Sequence, residues 1–160
     1  MLNITVLCVG KLKEAYWRDA VAEYTKRLGA FCKFQVTELE EDRLPDKPSD
    51  AQIAVALSAE GKKMAAKIPA GAAVVALCIE GKPCSSTELA ERLEEFALGG
   101  VSHVVFLIGS SHGLAPELKS RANWRLSMSP MTFPHQLARV MLLEQIYRAM
   151  NIRSGGKYHK

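Results

Sequence analysis

Apolar and polar residues alternate along this chain with periods that change from one segment to the next. Short apolar runs, rich in β-branched residues or alternating every second position, predict strands. Longer segments with apolar residues three or four positions apart predict helices. The predicted strands are 2–9, 31–39, 72–79, 101–108 and 124–127, and the predicted helices are 14–28, 50–68, one opening at Ser85, a short one opening at Pro116, and 136–150.

This order of elements predicts an α/β fold with a mostly parallel sheet flanked by helices, in one domain over residues 1–160. The runs 72–79 and 101–108 are continuously apolar, which is typical of strands buried on both faces. In open parallel sheets, ligands bind at the carboxyl ends of the strands. We therefore expect the functional site among the segments that follow the strands, namely Gly10, Glu80-Gly81, 109–113 and 127–133.

The last predicted helix is apolar on nearly every face and should be buried all round. We place Pro134 at its first position, where a missing N–H is tolerated. One sheet covers only one side of a helix, so we expect the other side to meet a second copy of the chain. Buried charges are costly unless they are paired or used. His135 with Arg139, and Glu144 with Arg148, are four residues apart and share a face of the helix. These charged residues fit either an ion-paired dimer helix or a dimer interface that also performs chemistry. We favour the second hypothesis.

Composition narrows the class of protein. Hydrophobic residues make up 48% and charged residues 24% of the chain, which is usual for a globular protein and argues against disorder. No apolar run has the length of a membrane span, and the first residues do not resemble a secretory signal. We therefore expect a soluble, cytoplasmic protein. The four cysteines form no C-x-x-C pair, so neither disulfides nor a metal site is expected.

The net charge of +4 is unevenly distributed. Residues 1–100 hold 13 Lys and Arg against 15 Asp and Glu, a net of −2, whereas residues 101–160 hold 8 against 2, a net of +6. All four histidines also lie in the second segment. A basic segment attracts a nucleic-acid backbone or another anion, and a solvated basic face explains the charge equally well.

The standard nucleotide and metalloprotease motifs are missing from the sequence: there is no G-x-G-x-x-G, no G-x-x-x-x-G-K-[ST] and no H-E-x-x-H. One motif does match, because Gly109, Ser111 and Gly113 satisfy the G-x-S-x-G pattern of a serine hydrolase. However, no aspartate follows Ser111, and His135 precedes Glu144, which reverses the usual order of the triad. A small serine hydrolase is therefore the least favoured of our hypotheses.

Several stretches together resemble the ribosomal RNA large subunit methyltransferase H family, which belongs to the SPOUT class of methyltransferases. The similarity covers the whole chain and is most specific in its second half. It rests on Val9-Gly10-Lys11, Glu80-Gly81-Lys82-Pro83, Ile108-Gly109 with Gly113-Leu114, Met131-Thr132-Phe133-Pro134-His135, Arg139-Val140, Glu144-Gln145-x-Tyr147-Arg148-Ala149 and Tyr158-His159-Lys160.

The resemblance implies a homodimer with a C-terminal trefoil knot (an alpha/beta knot) that binds S-adenosyl-L-methionine in a bent conformation. It also implies methylation of ring nitrogen 3 of a pseudouridine in the helix 69 loop of 23S rRNA, in the large subunit or the assembled ribosome, with no DNA or membrane as partner. Carried over by position, the residues that hold the cofactor are Leu77, Gly109, Met128, Ser129, Pro130, Met131, Thr132 and Phe133.

The glycine loop departs from the family pattern. Family members often carry Gly-Gly-Pro-Glu-Gly, whereas here Gly109 is followed by Ser110, Ser111 and His112. A role that depends on an acidic group in this loop is therefore not expected in this chain.

The implied reaction suggests which side chains act. S-adenosylmethionine brings an activated methyl group, so the enzyme needs in-line positioning rather than a metal or a covalent nucleophile. A uracil imide nitrogen is a poor nucleophile until it is deprotonated, so a base or an anion-stabilising cation helps. Our candidates are His159 and Tyr158 as base or substrate contact, and His135 and Arg139 as orienting or anion-stabilising groups. His103, beside a buried strand, is expected to be structural.

Three basic residues near the C-terminus are candidates for holding RNA phosphates. These are Arg153, Lys157 and Lys160, which would act in the salt-sensitive manner usual for RNA. The alternative from a different class is a non-catalytic RNA- or ribosome-binding module that uses the same basic face.

Overall fold

The computed structural model describes all 160 residues, and strands and helices alternate along the chain as predicted. The strands begin up to two residues later than the sequence pattern suggested. The elements are β1 (Asn3–Val9), α1 (Ala15–Leu28), β2 (Lys33–Leu39), α2 (Asp50–Lys67), β3 (Ala73–Pro83), α3 (Ser86–Leu98), β4 (His103–Ile108), α4 (Pro116–Arg121), β5 (Trp124–Ser127) and α5 (His135–Arg153).

The five strands form one sheet in the order β2-β1-β4-β3-β5. Every neighbouring pair is parallel, so the predicted α/β architecture is confirmed. Parallel strands point in one direction, and all five carboxyl ends therefore lie at the same edge of the sheet. The trefoil knot stays a prediction.

Both faces of the sheet are covered, because side chains alternate between them along each strand. Val6, Val75 and Phe106 point to the face that packs against α1, α3 and α5 in the larger apolar cluster. Leu7 and Leu107 point to the opposite face, where α2 and α4 pack in the smaller cluster. The central strands are therefore almost completely inaccessible to solvent.

Strand β3 differs most from its prediction. It continues to Pro83 along β5, with a shift of register between Leu77 and Lys82. Ile79 is 86% exposed in this outer part, so only the first half of β3 is buried on both faces. Gly81 lies in the strand rather than in a loop after it, and a Cβ atom there would be 2.7 Å from the carbonyl carbon of Leu126. The prediction of a loop at this point was wrong because the apolar run ends at Ile79, before the backbone pairing with β5 does.

Helix α5 begins one residue before the predicted range of 136–150 and ends three residues after it. Pro134 is its N-cap with an extended ψ of 147°, not its first helical residue. The face towards α1, α3 and the sheet is buried, whereas Leu137, Val140 and Met141 are only partly covered by their own chain. Burial on all faces is therefore not achieved within one chain. No helix, α5 included, combines the length and apolar composition of a membrane span.

His103 occupies the first position of β4, and its Nε2 is hydrogen bonded to Oγ1 of Thr5 at 2.7 Å. Partial burial lowers the pKa of this imidazole. The folded protein therefore holds His103 in its neutral form to a lower pH than the unfolded chain does.

The lowered pKa of His103 leads to a testable pH dependence. Below its ordinary pKa of about 6.5 the unfolded state binds the proton first, so this residue makes the folded state less stable as the pH falls through that value. A His103→Gln variant keeps a hydrogen-bonding side chain but cannot titrate. We expect wild type to lose more free energy of unfolding than the variant between about pH 7 and pH 5, as measured by urea denaturation. Equal losses would contradict the assignment.

Candidate functional site

A cavity of about 420 Å³ opens at the carboxyl ends of β3, β4 and β5. Its walls are the outer part of β3, the loop after β4, the loop between β5 and α5, and the first turn of α5. Its size falls within the range of roughly 300–1,000 Å³ typical of small-ligand sites. The cavity lies at the edge of the sheet where the strand order predicted a site.

Seven of the eight residues that we assigned to the cofactor line this one cavity. The exception is Pro130, which is exposed and does not line the cavity. The seven come from three separate segments of the chain, which only the fold brings together. They are Leu77, Gly109, Met128, Ser129, Met131, Thr132 and Phe133.

The loop after β4 is a tight turn that leaves no room for a side chain at its base. The Gly113 N–H donates to the Ser110 carbonyl at 2.9 Å, and Gly113 has a φ of 87° that favours glycine. A Cβ atom on Gly109 would lie 2.1 Å from the Gly113 carbonyl oxygen. Ser111 is exposed at the tip and forms no hydrogen bond with a histidine, so the structure assembles no hydrolase triad around it.

The loop between β5 and α5 is shaped by its own serines. The Ser127 hydroxyl donates to the Ser129 carbonyl at 3.3 Å. The Met131 N–H in turn donates to the Ser129 hydroxyl at 2.9 Å. These short-range bonds satisfy polar groups that a turn would otherwise expose, and they fix Met128 and Met131 on the cavity wall.

One ion pair belongs to the cavity wall. Lys119 of α4 and Glu80 of β3 are 2.6 Å apart, and both line the cavity. The hydrogen bond from Lys119 holds the pKa of the Glu80 carboxyl below its usual value. The sequence analysis missed this pair, because nothing in the local pattern around either residue shows that α4 packs against the outer part of β3.

Arg139 lies outside the cavity, in an internal ionic network. Its side chain is 5% exposed, and its guanidinium donates to Oε2 of Glu38 at 2.6 Å and to the Gly10 carbonyl at 3.1 Å. The same carboxylate oxygen accepts the Leu12 N–H at 3.3 Å. Arg139 therefore fastens α5 to the carboxyl ends of β1 and β2. It does not pair with His135, which is exposed at the cavity.

The C-terminal tail folds back onto α5 of its own chain. The Tyr158 hydroxyl donates to Oε1 of Glu144 at 3.0 Å, and Arg148 donates to the same oxygen at 2.7 Å. The Arg148 guanidinium also lies 4.6 Å from the centre of the Tyr158 ring. Nδ1 of His159 is 3.3 Å from Arg148. Burial and the Glu144 carboxylate raise the pKa of Tyr158, so this phenol acts as a donor rather than a base near neutral pH.

The tail and the cavity are at different positions along α5. Arg148, which holds the tail, is about 20 Å along the helix axis from His135 at 1.5 Å per residue. Neither Tyr158 nor His159 lines the cavity of its own chain. The candidate catalytic residues are therefore not all brought together within one chain.

The three candidate phosphate contacts differ in availability. The Arg153 guanidinium is engaged by Oε2 of Glu94 at 2.7 Å and joins α5 to α3. Lys157 and Lys160 are exposed at the end of the chain. Only these two lysines present free cationic heads in the present structure.

Comparison with known proteins shows that the chain is similar to methyltransferases over nearly its whole length. The family model described as "Predicted SPOUT methyltransferase" matches residues 2–159. Proteins named ribosomal RNA large subunit methyltransferase H are similar over 99% of this chain and 100% of their own length. Among them are those of Clostridium novyi, at 48% identity, Bifidobacterium adolescentis, at 48%, and Bifidobacterium animalis subsp. lactis, at 50%.

The Arg139 network leads to a prediction about stability. Arg139→Met keeps most of the side-chain volume but leaves the Glu38 carboxylate without its partner. Removing one member of a buried pair is costly, although the Glu38 side chain is 35% exposed and water offsets part of the loss. We expect the free energy of unfolding to fall by about 1–3 kcal/mol in urea denaturation.

Two comparisons control this measurement. Arg27→Met breaks an exposed pair with Glu23 and should have a much smaller effect. In the double variant Glu38→Gln/Arg139→Met, the loss should be less than the sum of the two single losses, because the charges interact. Strict additivity would show that the pair does not contribute to stability.

Proposed function

Because the chain belongs to the SPOUT methyltransferase family, we propose that it transfers a methyl group from S-adenosylmethionine to ribosomal RNA. We propose ring nitrogen 3 of a pseudouridine in the helix 69 loop of 23S rRNA as the acceptor. The observation that carries this proposal is that seven residues assigned to the cofactor from separate segments line a single cavity. We assigned these residues from the sequence, and the folded chain brings them to one cavity.

The cavity suits the adenosyl group of the methyl donor. Nine of its twenty lining residues are hydrophobic, as expected for a site that receives a flat heteroaromatic base. Gly109 lets the loop fold so tightly that the Gly113 carbonyl group fills the space a side chain would take, and both glycines line the cavity. Leu77 at the end of the buried part of β3 and Met128 in the loop before α5 would provide the apolar contacts.

The chain's own residues would then position and prepare the acceptor. The donor supplies the activated methyl on its sulfonium, so the protein has to align the acceptor nitrogen and promote loss of its proton. His135 is exposed at the cavity, where it can contact the acceptor base. Tyr158 is held protonated as a hydrogen-bond donor, which leaves His159 as the candidate in the tail for taking the proton. Arg139 contributes by fixing the start of α5 relative to β1 and β2.

A homodimer would bring these residues together. The tail is distant from its own cavity, whereas the partly covered face of α5 offers apolar surface to a second copy. An antiparallel or crossed arrangement of two α5 helices would place the tail of one protomer near the cavity of its partner. We therefore propose that each site combines the cavity of one protomer with the tail of the other.

The proposed substrate also accounts for the distribution of charge. The second part of the chain carries the positive excess, and Lys157 and Lys160 are exposed next to the proposed tail contacts. Electrostatic contacts of this kind hold RNA phosphates and weaken as salt rises. We propose that the protein acts in the cytoplasm on the large subunit or on the assembled ribosome, without a metal ion.

The proposed activity is tested by transfer of labelled methyl from S-adenosylmethionine. Ribosomes and free 23S rRNA from cells that lack this protein are the substrates. We expect the incorporated methyl group to map to a pseudouridine in helix 69, because the cavity would hold the methyl donor while the basic tail holds the RNA. Comparison of 70S ribosomes, isolated large subunits and free RNA identifies the form that is recognised.

A Thr132→Trp variant provides the control. Thr132 is exposed and lines the cavity, so the indole should block the cofactor without disturbing the core. Incorporation should disappear in this variant while ribosome binding remains. If wild type binds ribosomes but neither binds the cofactor nor incorporates methyl, the protein is instead the RNA-binding module considered above.

The proposed contribution of the tail is tested by mixing two inactive variants. One lacks Tyr158–Lys160 and the other is Thr132→Trp. If the tail acts on its partner's cavity, a mixed dimer contains one complete site, and random exchange of subunits should restore about a quarter of wild-type methyl transfer. If the tail acts on its own cavity, mixing restores nothing.

Cofactor binding is the matched readout for the truncated protein. The tail does not line the cavity of its own chain, so the truncated variant should retain its affinity for S-adenosylhomocysteine in calorimetry. Full methyl transfer by the truncated protein alone would show that Tyr158 and His159 do not take part.

A further inference from the structure

The ion pair between Glu80 and Lys119 has an unusual position among the ion pairs of this chain. None of the residues in the other six ion pairs lines the large cavity. Those pairs lie within a helix, between two helices, or between a helix and a loop or strand. Glu80 is the only carboxylate and Lys119 the only ammonium among the twenty residues that line it. The electrostatic character of the cavity wall therefore depends largely on this pair.

The pair is also accessible to a ligand. The side chains of Lys119 and Glu80 are 26% and 46% exposed. Glu80 lies in the outer part of β3 beside exposed Ile79, and Lys119 lies on α4, which approaches β3 at this point. Separation of the two charged groups would leave both in contact with water and with the cavity, without opening the apolar core.

The proposed co-substrate carries the matching charges. Its adenosine is uncharged and its sulfonium is cationic, whereas its amino-acid end has both an ammonium and a carboxylate on one carbon atom. No other carboxylate or ammonium side chain of the lining can pair with these groups. A ligand that inserts between Glu80 and Lys119 replaces one ion pair with two, so each protein charge keeps a partner.

From this juxtaposition we propose that Glu80 and Lys119 recognise the zwitterionic amino-acid end of the co-substrate, Glu80 binding its ammonium and Lys119 its carboxylate. This inference rests on the proposed function, because it assumes that S-adenosylmethionine, or its product S-adenosylhomocysteine, occupies the cavity. The pair then sets specificity against nucleosides that share the adenosyl group but lack the amino acid. A purely structural pair between β3 and α4 would show no such selectivity.

Two ligands distinguish recognition of the amino-acid end from a purely structural effect of the ion pair. S-adenosylhomocysteine carries the amino-acid group, and 5′-methylthioadenosine has the same adenosyl thioether without it. Calorimetry on the full chain should show that Lys119→Met and Glu80→Gln each weaken S-adenosylhomocysteine by about fivefold, the size expected for a partly exposed pair. The affinity for 5′-methylthioadenosine should stay within about twofold of wild type.

A charge-swapped variant, Glu80→Lys with Lys119→Glu, gives the decisive comparison. It restores an ion pair between β3 and α4 but reverses the order of charges that the ligand meets. Under the proposal, thermal stability recovers while the affinity for S-adenosylhomocysteine stays low. Recovery of that affinity would show that the pair acts only by holding the two elements together. Lys63→Met, which breaks the pair with Asp42 away from the cavity, is the matched control and should bind both ligands as wild type does.

The outcomes distinguish this inference from the function on which it rests. If the variants weaken both ligands by the same factor, or neither, the recognition of the amino-acid end is contradicted while the methyltransferase proposal stands. If wild type binds neither ligand, the proposed use of S-adenosylmethionine is contradicted, and this inference fails with it.

Discussion

A parallel sheet that is buried on both faces is the constraint from which the rest of this structure follows. Because each strand must return to the same end of the sheet, a helix has to cross between consecutive strands. Four helices cross in this way, α1 and α3 on one face and α2 and α4 on the other, and α5 adds a third helix to the first face. The polar segments that cannot enter the sheet collect at its carboxyl edge, and the large cavity forms among them.

Helix α5 links the parts of the proposed site that are far apart. Its first turn borders the cavity, Arg139 ties its next turn to Glu38, and its last turns hold the tail through Glu144 and Arg148. Arg139 is deeply buried, so its strongest influence on the reaction is to fix the position of α5. The charged residues of this helix thus act mainly as internal partners, and the exposed His135 and His159 carry the chemistry that we propose.

Sequence patterns predicted most of the fold because periodicity reports directly on which face of an element is buried. The start of α3 at Ser85 was predicted correctly, since Ser85 forms a capping box with Glu88, three residues on, and such a pair needs no tertiary information. The end of β3 was not, because its outer half pairs with β5 through the backbone while its side chains are exposed. Pro134 was misplaced by one residue, since a proline fits both the N-cap and the first turn of a helix.

The sequence by itself determined the α/β class, the order of elements and the uneven charge, and its resemblance to a family led to the proposed cofactor residues. These properties depend on neighbours along the chain or on residue identity. Only the tertiary structure decided that Arg139 pairs with Glu38 rather than His135, that the tail lies away from its own cavity, and that Glu80 meets Lys119. Such contacts join residues distant in sequence, and their free energy depends on packing geometry that no local pattern of residues encodes.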